Sequence, residues 1–510
     1  MENEDAQVQS RRQCTKRKVF ILYSTSFTTS PRFPSRMKLG TLLLSSFLIL
    51  VSSFAAPPRP NIVVILCDNL GNGDIACFNP QTKHRTPNLD RMAAEGRKFT
   101  SFYSASGVCT PSRAALMTGC YPRRIGLHIS AIGAAVLQPV ATRGIHPGEE
   151  TMAELLKQNA YATACIGKWH LGDQPEFLPT RNGFDTYFGI PYSEDMVHDK
   201  FPERKWPPLP LMQDETVIEA PVPAETLTKR LTEAAVEFIA EHREQPFFLY
   251  FPEAGPGSRA ECYPGPEFRG KSANGLYGDS IEELDWSAGE ILKALKANGL
   301  DNNTLVIWTN DNGAVNRNPP QGSNAPYKGM GYSTTEGGQR MPCIARWPGK
   351  VPAGTTCTQL CTMMDLLPTI AAITGAEPPQ KPIDGHDIRP LLFGESDARS
   401  PYDNTGFYYY NVTQLQAIRE GDWKLYLPLD GKTGLGKAAK KPAPQPLALY
   451  NVQTDLTEQH ESSAAHPEIV QRLLKYAETA RQTLGDGETR GTAQRDAGHV
   501  ENPRPRVKPN

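Results

Sequence analysis

The sequence predicts an α/β protein built on a large, mostly parallel sheet with helices on both faces, and three observations lead there. Asn61-Ile62-Val63-Val64-Ile65-Leu66-Cys67 is a short β-branched run without alternation, as suits a strand buried on both faces. Runs of the same form return at residues 161–167, 247–251 and 304–310. Segments with helical spacing lie between them, and strands that alternate with helices form parallel sheets.

Each predicted strand hands polar groups to a loop at its carboxyl end. These are Asp68-Asn69, Lys168-Trp169-His170, residues 253–257, and Asp311-Asn312-Gly313. In open α/β sheets that edge is where ligands bind. Helices are expected over 87–95, 149–159, 224–244 and 281–297; in the last, Ile281, Leu284, Ile291, Leu292 and Leu295 recur at helical spacing, and Glu282 and Asp285 are assigned to a solvated face. From about Ser400 the texture changes. Residues 406–412 and 416–419 lead through Glu420-Gly421-Asp422 into 423–427, an aromatic-rich alternation broken by a turn, which predicts an antiparallel hairpin. Residues 447–452 add a strand, 437–446 a Lys/Ala/Pro loop and 467–484 a helix. The expected organisation is a leader over 1–56, a main domain over 57–399, a smaller C-terminal α+β subdomain with an antiparallel sheet over 400–485, and a polar, Pro- and Gly-containing disordered tail over 486–510.

With 510 residues, 39% of them hydrophobic, the chain can bury a large core. A net charge of −1 supplies no global field for nucleic acid or membrane, so any anion preference is local to a pocket. Met37-Lys38 opens a short basic start, residues 41–54 are leucine-rich, and Ser53-Phe54-Ala55 offers small residues at the positions a signal peptidase reads. That predicts export: a secreted or periplasmic protein, lysosomal in a eukaryote, with residues 1–36 reflecting either a very long amino region or, the favoured reading, a start codon placed too early at Met1. The apolar core is shorter than the roughly 20 residues a membrane span needs, and no stable span is expected in the mature protein. Of ten cysteines, Cys67, Cys165 and Cys343 sit in apolar strand-like runs that favour buried thiols, and the spacing fits no metal pattern.

The most informative stretch is Cys109-Thr110-Pro111-Ser112-Arg113-Ala114-Ala115-Leu116-Met117-Thr118-Gly119. It places a reactive side chain just before a helix, with Pro111 near the first helical position. The amino end of that helix favours an anion, and Arg113 adds a donor fork suited to sulfate or phosphate oxygens. From generic physics alone, a buried cysteine capping a core helix is the commoner outcome. The two Asp-Asn pairs carry carboxylate and amide oxygens without a His or Cys cluster, which suits a hard cation, although an Asp-Asn pair in a turn is by itself usually only a turn.

Cys-x-Pro-Ser-Arg-x-x-Leu-x-Thr-Gly resembles the signature of the type I sulfatases, the formylglycine-dependent, arylsulfatase-like members of the alkaline phosphatase superfamily. Every fixed position is present, and the resemblance runs from about Asn61 to Tyr450. It implies a large mixed, mostly parallel sheet sandwiched by helices, with 57–399 as the catalytic domain. It also implies a maturation enzyme that oxidises Cys109 to formylglycine, whose hydrate attacks sulfur before sulfate is expelled and the aldehyde re-forms. Asp68, Asn69, Asp311 and Asn312 coincide with the family's site for Ca2+, with Mg2+ as the alternative, an ion that also contacts residue 109. Lys168-Trp169-His170-Leu171-Gly172 is similar to the family's Lys-Trp-His-Leu-Gly, so Lys168 would bind sulfate, Arg113 would stabilise charge, and His170 would assist sulfate elimination. The implied partners are a sulfated small molecule or glycan and the maturation enzyme.

Three positions depart from the family pattern. Asn69 stands where a second aspartate is common, Gly257 where a Pro-His pair supplies an acid for the leaving group, and Gly331 where a Lys lies five residues before Glu336-Gly337-Gly338. Lys328 matches a different basic position. Without an acid at 257, the sequence predicts aryl sulfates to be favoured over sugar sulfates. Two other readings stay open: an impaired relative that binds anions or sulfated glycans, and a phosphate or phosphonate ester hydrolase, disfavoured by the missing aspartate.

Overall fold

A computed structural model of the chain describes residues 59–197, 200–257, 261–430 and 444–509. The predicted leader, and residues 437–443 of the predicted loop, lie outside the described residues. Among those residues eleven strands form one main sheet. Ten lie side by side in the order Thr355–Cys357, Arg97–Tyr103, Arg340–Arg346, Thr304–Asn310, Asn61–Asp68, Phe247–Pro256, Ala162–Lys168, Thr186–Ile190, Leu211–Gln213 and Thr216–Glu219, and Cys361–Thr362 also pairs with Arg97–Tyr103. From Thr304–Asn310 to Thr186–Ile190 all neighbours are parallel; Arg340–Arg346 and Leu211–Gln213 join antiparallel.

The uninterrupted apolar run of the first strand is explained by the layers on either side. Ile62, Val64 and Leu66 enter one core with Ala114, Leu116, Leu155 and Leu367. Val63, Ile65 and Cys67 enter the other with Leu89, Leu231, Ile281 and Leu284. A strand whose two faces both meet helices has no solvent side on which to place polar residues. The helices Pro87–Glu95 and Pro467–Leu484 have the predicted bounds. The helix expected from 149 begins at Met152, because Thr151 caps it: Thr151 Oγ1 accepts from the Glu154 amide at 3.1 Å, and the Glu154 carboxylate accepts from the Thr151 amide at 2.8 Å.

Phe407–Asn411, Gln414–Glu420, Trp423–Tyr426 and Ala448–Asn451 form the antiparallel sheet of the C-terminal region, with helix Pro467–Leu484 packed on it. Ala56–Asn510 is one compact unit. Two expectations are corrected. The tail after 485 is structured: Gly485–Asp486 pairs with Thr489–Arg490, Gly498–His499 pairs with Arg143–Gly144, and the Arg495 guanidinium donates to both Glu149 oxygens at 2.7 Å. Asp285 is buried rather than solvated, and its carboxylate accepts from the Asn88 and Leu89 amides at 3.2 and 2.8 Å, capping helix Pro87–Glu95 from the neighbouring helix. No helix among the described residues is long and apolar enough to cross a membrane.

Candidate active site

The helix Cys109–Thr118 is buried along its whole length and begins at Cys109 itself, so the cysteine is its first residue and Pro111 its third, a correction of one step to the expected start. Ser112 fixes the preceding loop, donating through Oγ to the Ser106 and Val108 carbonyls at 2.9 Å each. Cys109 is therefore held at the positive end of a buried ten-residue helix.

Two adjacent parallel strands bring the acids to it. Cys67 is in register with Asn310, so Asp68 and Asp311 emerge side by side, and the Asp311 amide donates to the Cys67 carbonyl at 3.2 Å. Arg113 bridges them, donating to Asp68 Oδ1 at 3.0 Å and Asp311 Oδ2 at 2.9 Å, while its NH1 donates to the Lys168 carbonyl at 2.7 Å. Lys168 Nζ donates to Asp68 Oδ1 at 2.8 Å and Ser193 Oγ at 3.0 Å, and lies 4.0 Å from Cys109 Sγ. Asp68, Arg113, Lys168 and Asp311 have no exposed surface. Burial works against the charge of Asp68, but Lys168 and Arg113 outweigh it and hold this carboxyl well below the usual range. Burial, with Asp68 beside it, pushes Asp311 up. Burial and the same carboxylate raise the Cys109 thiol, so this cysteine lacks the lowered pKa of a thiolate nucleophile.

The donor set fits a hard cation. Ligand atoms of Asp68, Cys109 and Asp311 lie within 4.8 Å of one another. Asn312 Oδ1 is buried without a hydrogen-bond partner, an oxygen placed as a ligand would be. Asn69, in the left-handed region at φ 62°, donates through Nδ2 to Asp68 Oδ2 at 2.9 Å and accepts from Asn312 Nδ2 at 2.7 Å. A second carboxylate at 69 would meet Asp68 with like charge, whereas the amide meets it with a donor.

His170 lies two residues beyond the strand, which ends at Lys168. It adopts φ 61°, and its Nε2 is 2.9 Å from the Leu137 carbonyl. Its Nδ1 is buried without a partner, and burial with Lys168 nearby lowers the imidazole to about 3. Lys328 is turned away: its Nζ donates to the Glu458 carbonyl at 3.3 Å and lies over the Tyr450 ring. Neither departing glycine leaves an empty socket. A Cβ at Gly331 would fall 2.2 Å from the Gly313 carbonyl oxygen, and one at Gly257, where φ is +89°, would fall 2.7 Å from Glu194 Oε1. Ser193 and Glu194, which follow strand Thr186–Ile190 at the same sheet edge, are site residues that sequence reasoning passed over.

Residues 60–376 match the sulfatase family model. The chain is 39% identical over 402 residues to N-acetylgalactosamine-6-sulfatase of Mus musculus, covering 76% of this chain and 75% of the relative. It is 35% identical over 483 residues to arylsulfatase A of Homo sapiens, covering 88% and 93%. The crystal structure of PsFucS1 sulfatase from Pseudoalteromonas sp. superposes with a TM-score of 0.73 at 25% identity, over 86% of this chain and 92% of that one. With a family match over more than half its length, set on this buried edge of the sheet, the chain belongs to the sulfatase family.

Proposed function

We propose that the protein is a sulfuric ester hydrolase that cleaves carbohydrate or aryl sulfates at residue 109. The observation that carries the reading is the convergence on Cys109 Sγ of the Asp68 and Asp311 carboxylates and the Lys168 ammonium at a buried helix amino end. The names of the relatives, one a sugar sulfatase and one an arylsulfatase, support both substrate classes. Conversion of Cys109 to formylglycine would supply the attacking hydroxyl, and Ca2+ or Mg2+ held by Asp68, Asn69, Asp311, Asn312 and residue 109 would supply electrostatic stabilisation of the sulfate.

The remaining steps fall to the chain's own side chains. Arg113, whose guanidinium donates to Asp68, Asp311 and the Lys168 carbonyl, keeps two like charges side by side. Lys168 places a fixed positive charge against the sulfate, since Asp68 outweighs the effect of burial and keeps the ammonium protonated. His170, neutral above about pH 3, accepts a proton through its free Nδ1 as sulfate is expelled. The test is kcat/KM for nitrophenyl sulfate and a monosaccharide sulfate, with fully converted parent and with Cys109→Ala. Loss of a nucleophile that acts with its partners as a unit is expected to cost about 10⁶-fold. A fully converted parent that turns over neither ester would favour the anion-binding reading.

A further inference from the structure

The groups assigned above leave one proton without a donor, the one the departing oxygen gains. His170 is neutral at physiological pH and serves as a base. Lys168 keeps its proton because Asp68 lies 2.8 Å away. Two further buried acids lie near this edge; Glu253 is held by the Ser287 hydroxyl at 2.6 Å, whereas Glu194, 5% exposed, is tied to the Lys168 group. Its Oε2 accepts from Ser193 Oγ at 3.0 Å, and Ser193 Oγ accepts from Lys168 Nζ at 3.0 Å, so a short chain of bonds joins the carboxyl to the ammonium that faces Cys109. Lys168 Nζ is itself 3.8 Å from Oε2. The other oxygen, Oε1, fills the space a side chain at Gly257 would enter. A cavity of about 20 Å3, lined by Glu194, Gly257, Tyr263 and Ser280 among others, touches the same carboxyl and has room for a single water.

We propose that Glu194 is the general acid for the leaving oxygen: its carboxyl gives its proton to the ester oxygen as the S–O bond breaks with the electron pair staying on that oxygen. The product departs as a neutral alcohol, and the Glu194 carboxylate recovers a proton from water. The charged surroundings agree. Burial above all, with Asp195 and Asp68, outweighs Lys168 and raises Glu194 above the ordinary carboxylate range; Cys262 and Tyr263, on the segment at its other side, are themselves raised chiefly by burial. The acid expected from position 257 is thus supplied by a loop that follows the strand two places along the sheet, and sugar sulfates remain within reach.

The inference rests on the sulfuric ester hydrolase reading, and one experiment separates the two. Parent, Glu194→Gln and Glu194→Asp, each with formylglycine content measured, are assayed on aryl sulfates of graded leaving-group pKa and on a monosaccharide sulfate. Glu194→Gln should lose ~10²–10⁴ in kcat/KM on the sugar sulfate, change nitrophenyl sulfate turnover by less than about threefold, and depend more steeply on leaving-group pKa. Glu194→Asp, which keeps an acid at the site, should fall between parent and Glu194→Gln. Equal losses on every substrate, or Asp no better than Gln, overturn the acid role and leave Glu194 as a group that positions Lys168. An inactive, fully converted parent overturns the sulfatase reading and this inference with it.

Discussion

Asp68, Arg113, Lys168 and Asp311 at the sheet edge, and Glu336, Arg340, Arg419 and Lys424 beneath the C-terminal sheet, are two ionic clusters in which no side chain is more than 2% exposed. They differ in how their carboxylates are held. In the second, one carboxylate is surrounded: Glu336 Oε1 accepts from Lys424 Nζ at 2.9 Å and from the Tyr409 hydroxyl at 3.0 Å, and Oε2 accepts from Arg340 and the Tyr103 hydroxyl. The surplus positive charge lies on aromatic faces, with Lys424 4.1 Å from the Tyr409 ring centre and Arg340 4.4 Å from that of Tyr327. Lys424 in particular holds Glu336 well below the carboxylate range despite burial. In the first cluster two carboxylates are forced together, and Asn312 Oδ1 and His170 Nδ1 beside it have no partner. Burial of charge is common to both, so it marks neither as a site. An unpartnered polar atom marks neither by itself, since Glu458 in the second, 3.6 Å from Lys424, has its Oε2 buried without a hydrogen-bond partner; two carboxylates bridged by one guanidinium beside Cys109 mark the first.

Breaking each cluster should separate them. Arg113→Ala leaves two buried carboxylates and Glu336→Gln leaves buried cations, and each should lose about 3–5 kcal/mol of stability by urea unfolding at pH 7. Measured against the parent at the same calcium concentration, calcium should narrow the loss in Arg113→Ala and leave the loss in Glu336→Gln unchanged. Recovery in both, or in neither, would erase the distinction drawn between them.

A smaller effect follows from cation binding alone. Calcium at a hundred times its dissociation constant should stabilise the parent by about 2.7 kcal/mol. The gain should vanish in Asp311→Ala and persist in Glu336→Gln, and an Asp311→Ala variant that binds calcium as the parent does would show that the ligands are misassigned. The smallest effect concerns the glycine at the rim. Gly331→Lys forces a Cβ against the Gly313 carbonyl and should cost about 1–3 kcal/mol without improving turnover of a sugar sulfate. Improved turnover would mean that the loop yields and that the missing Lys limits the enzyme.

What the sequence disclosed follows from how local each signal is. Helix Pro87–Glu95 is legible because Pro87 opens it and Gly96 follows it, and three strand ends are legible because each apolar run stops at a polar group; the strand expected to end at 251 runs on through the buried Glu253 to Pro256, paired with Asn61–Asp68. Strands Arg97–Tyr103 and Arg340–Arg346 escape the pattern because they carry charged residues at their ends, and those of the second strand are buried largely by partners far away in the chain: Arg340 meets Val452 as well as the nearby Glu336, and Arg346 meets Glu95 and Asp301. Asp285 looks solvated on its own helix and becomes a cap only when a helix almost two hundred residues earlier arrives beside it. The tail looks disordered by composition because its order comes from Arg143–Gly144 and Glu149. In the candidate site, the Cys109 motif and both Asp-Asn pairs draw notice as local patterns, and the fold brings Cys109, Asp68 and Asp311 together. Glu194 does not draw notice, because its meaning lies in filling the space over Gly257, a relation between two strands that no local pattern records.

The most direct measurement is the mass of the tryptic peptide Phe99–Arg113 from native material, taken alongside sulfate release by the same sample. Formylglycine at residue 109, with turnover of a sulfate ester in proportion to its content, is the expected result. Turnover carried by protein whose residue 109 is still an unmodified cysteine would contradict the role assigned to that residue and to the buried cluster around it.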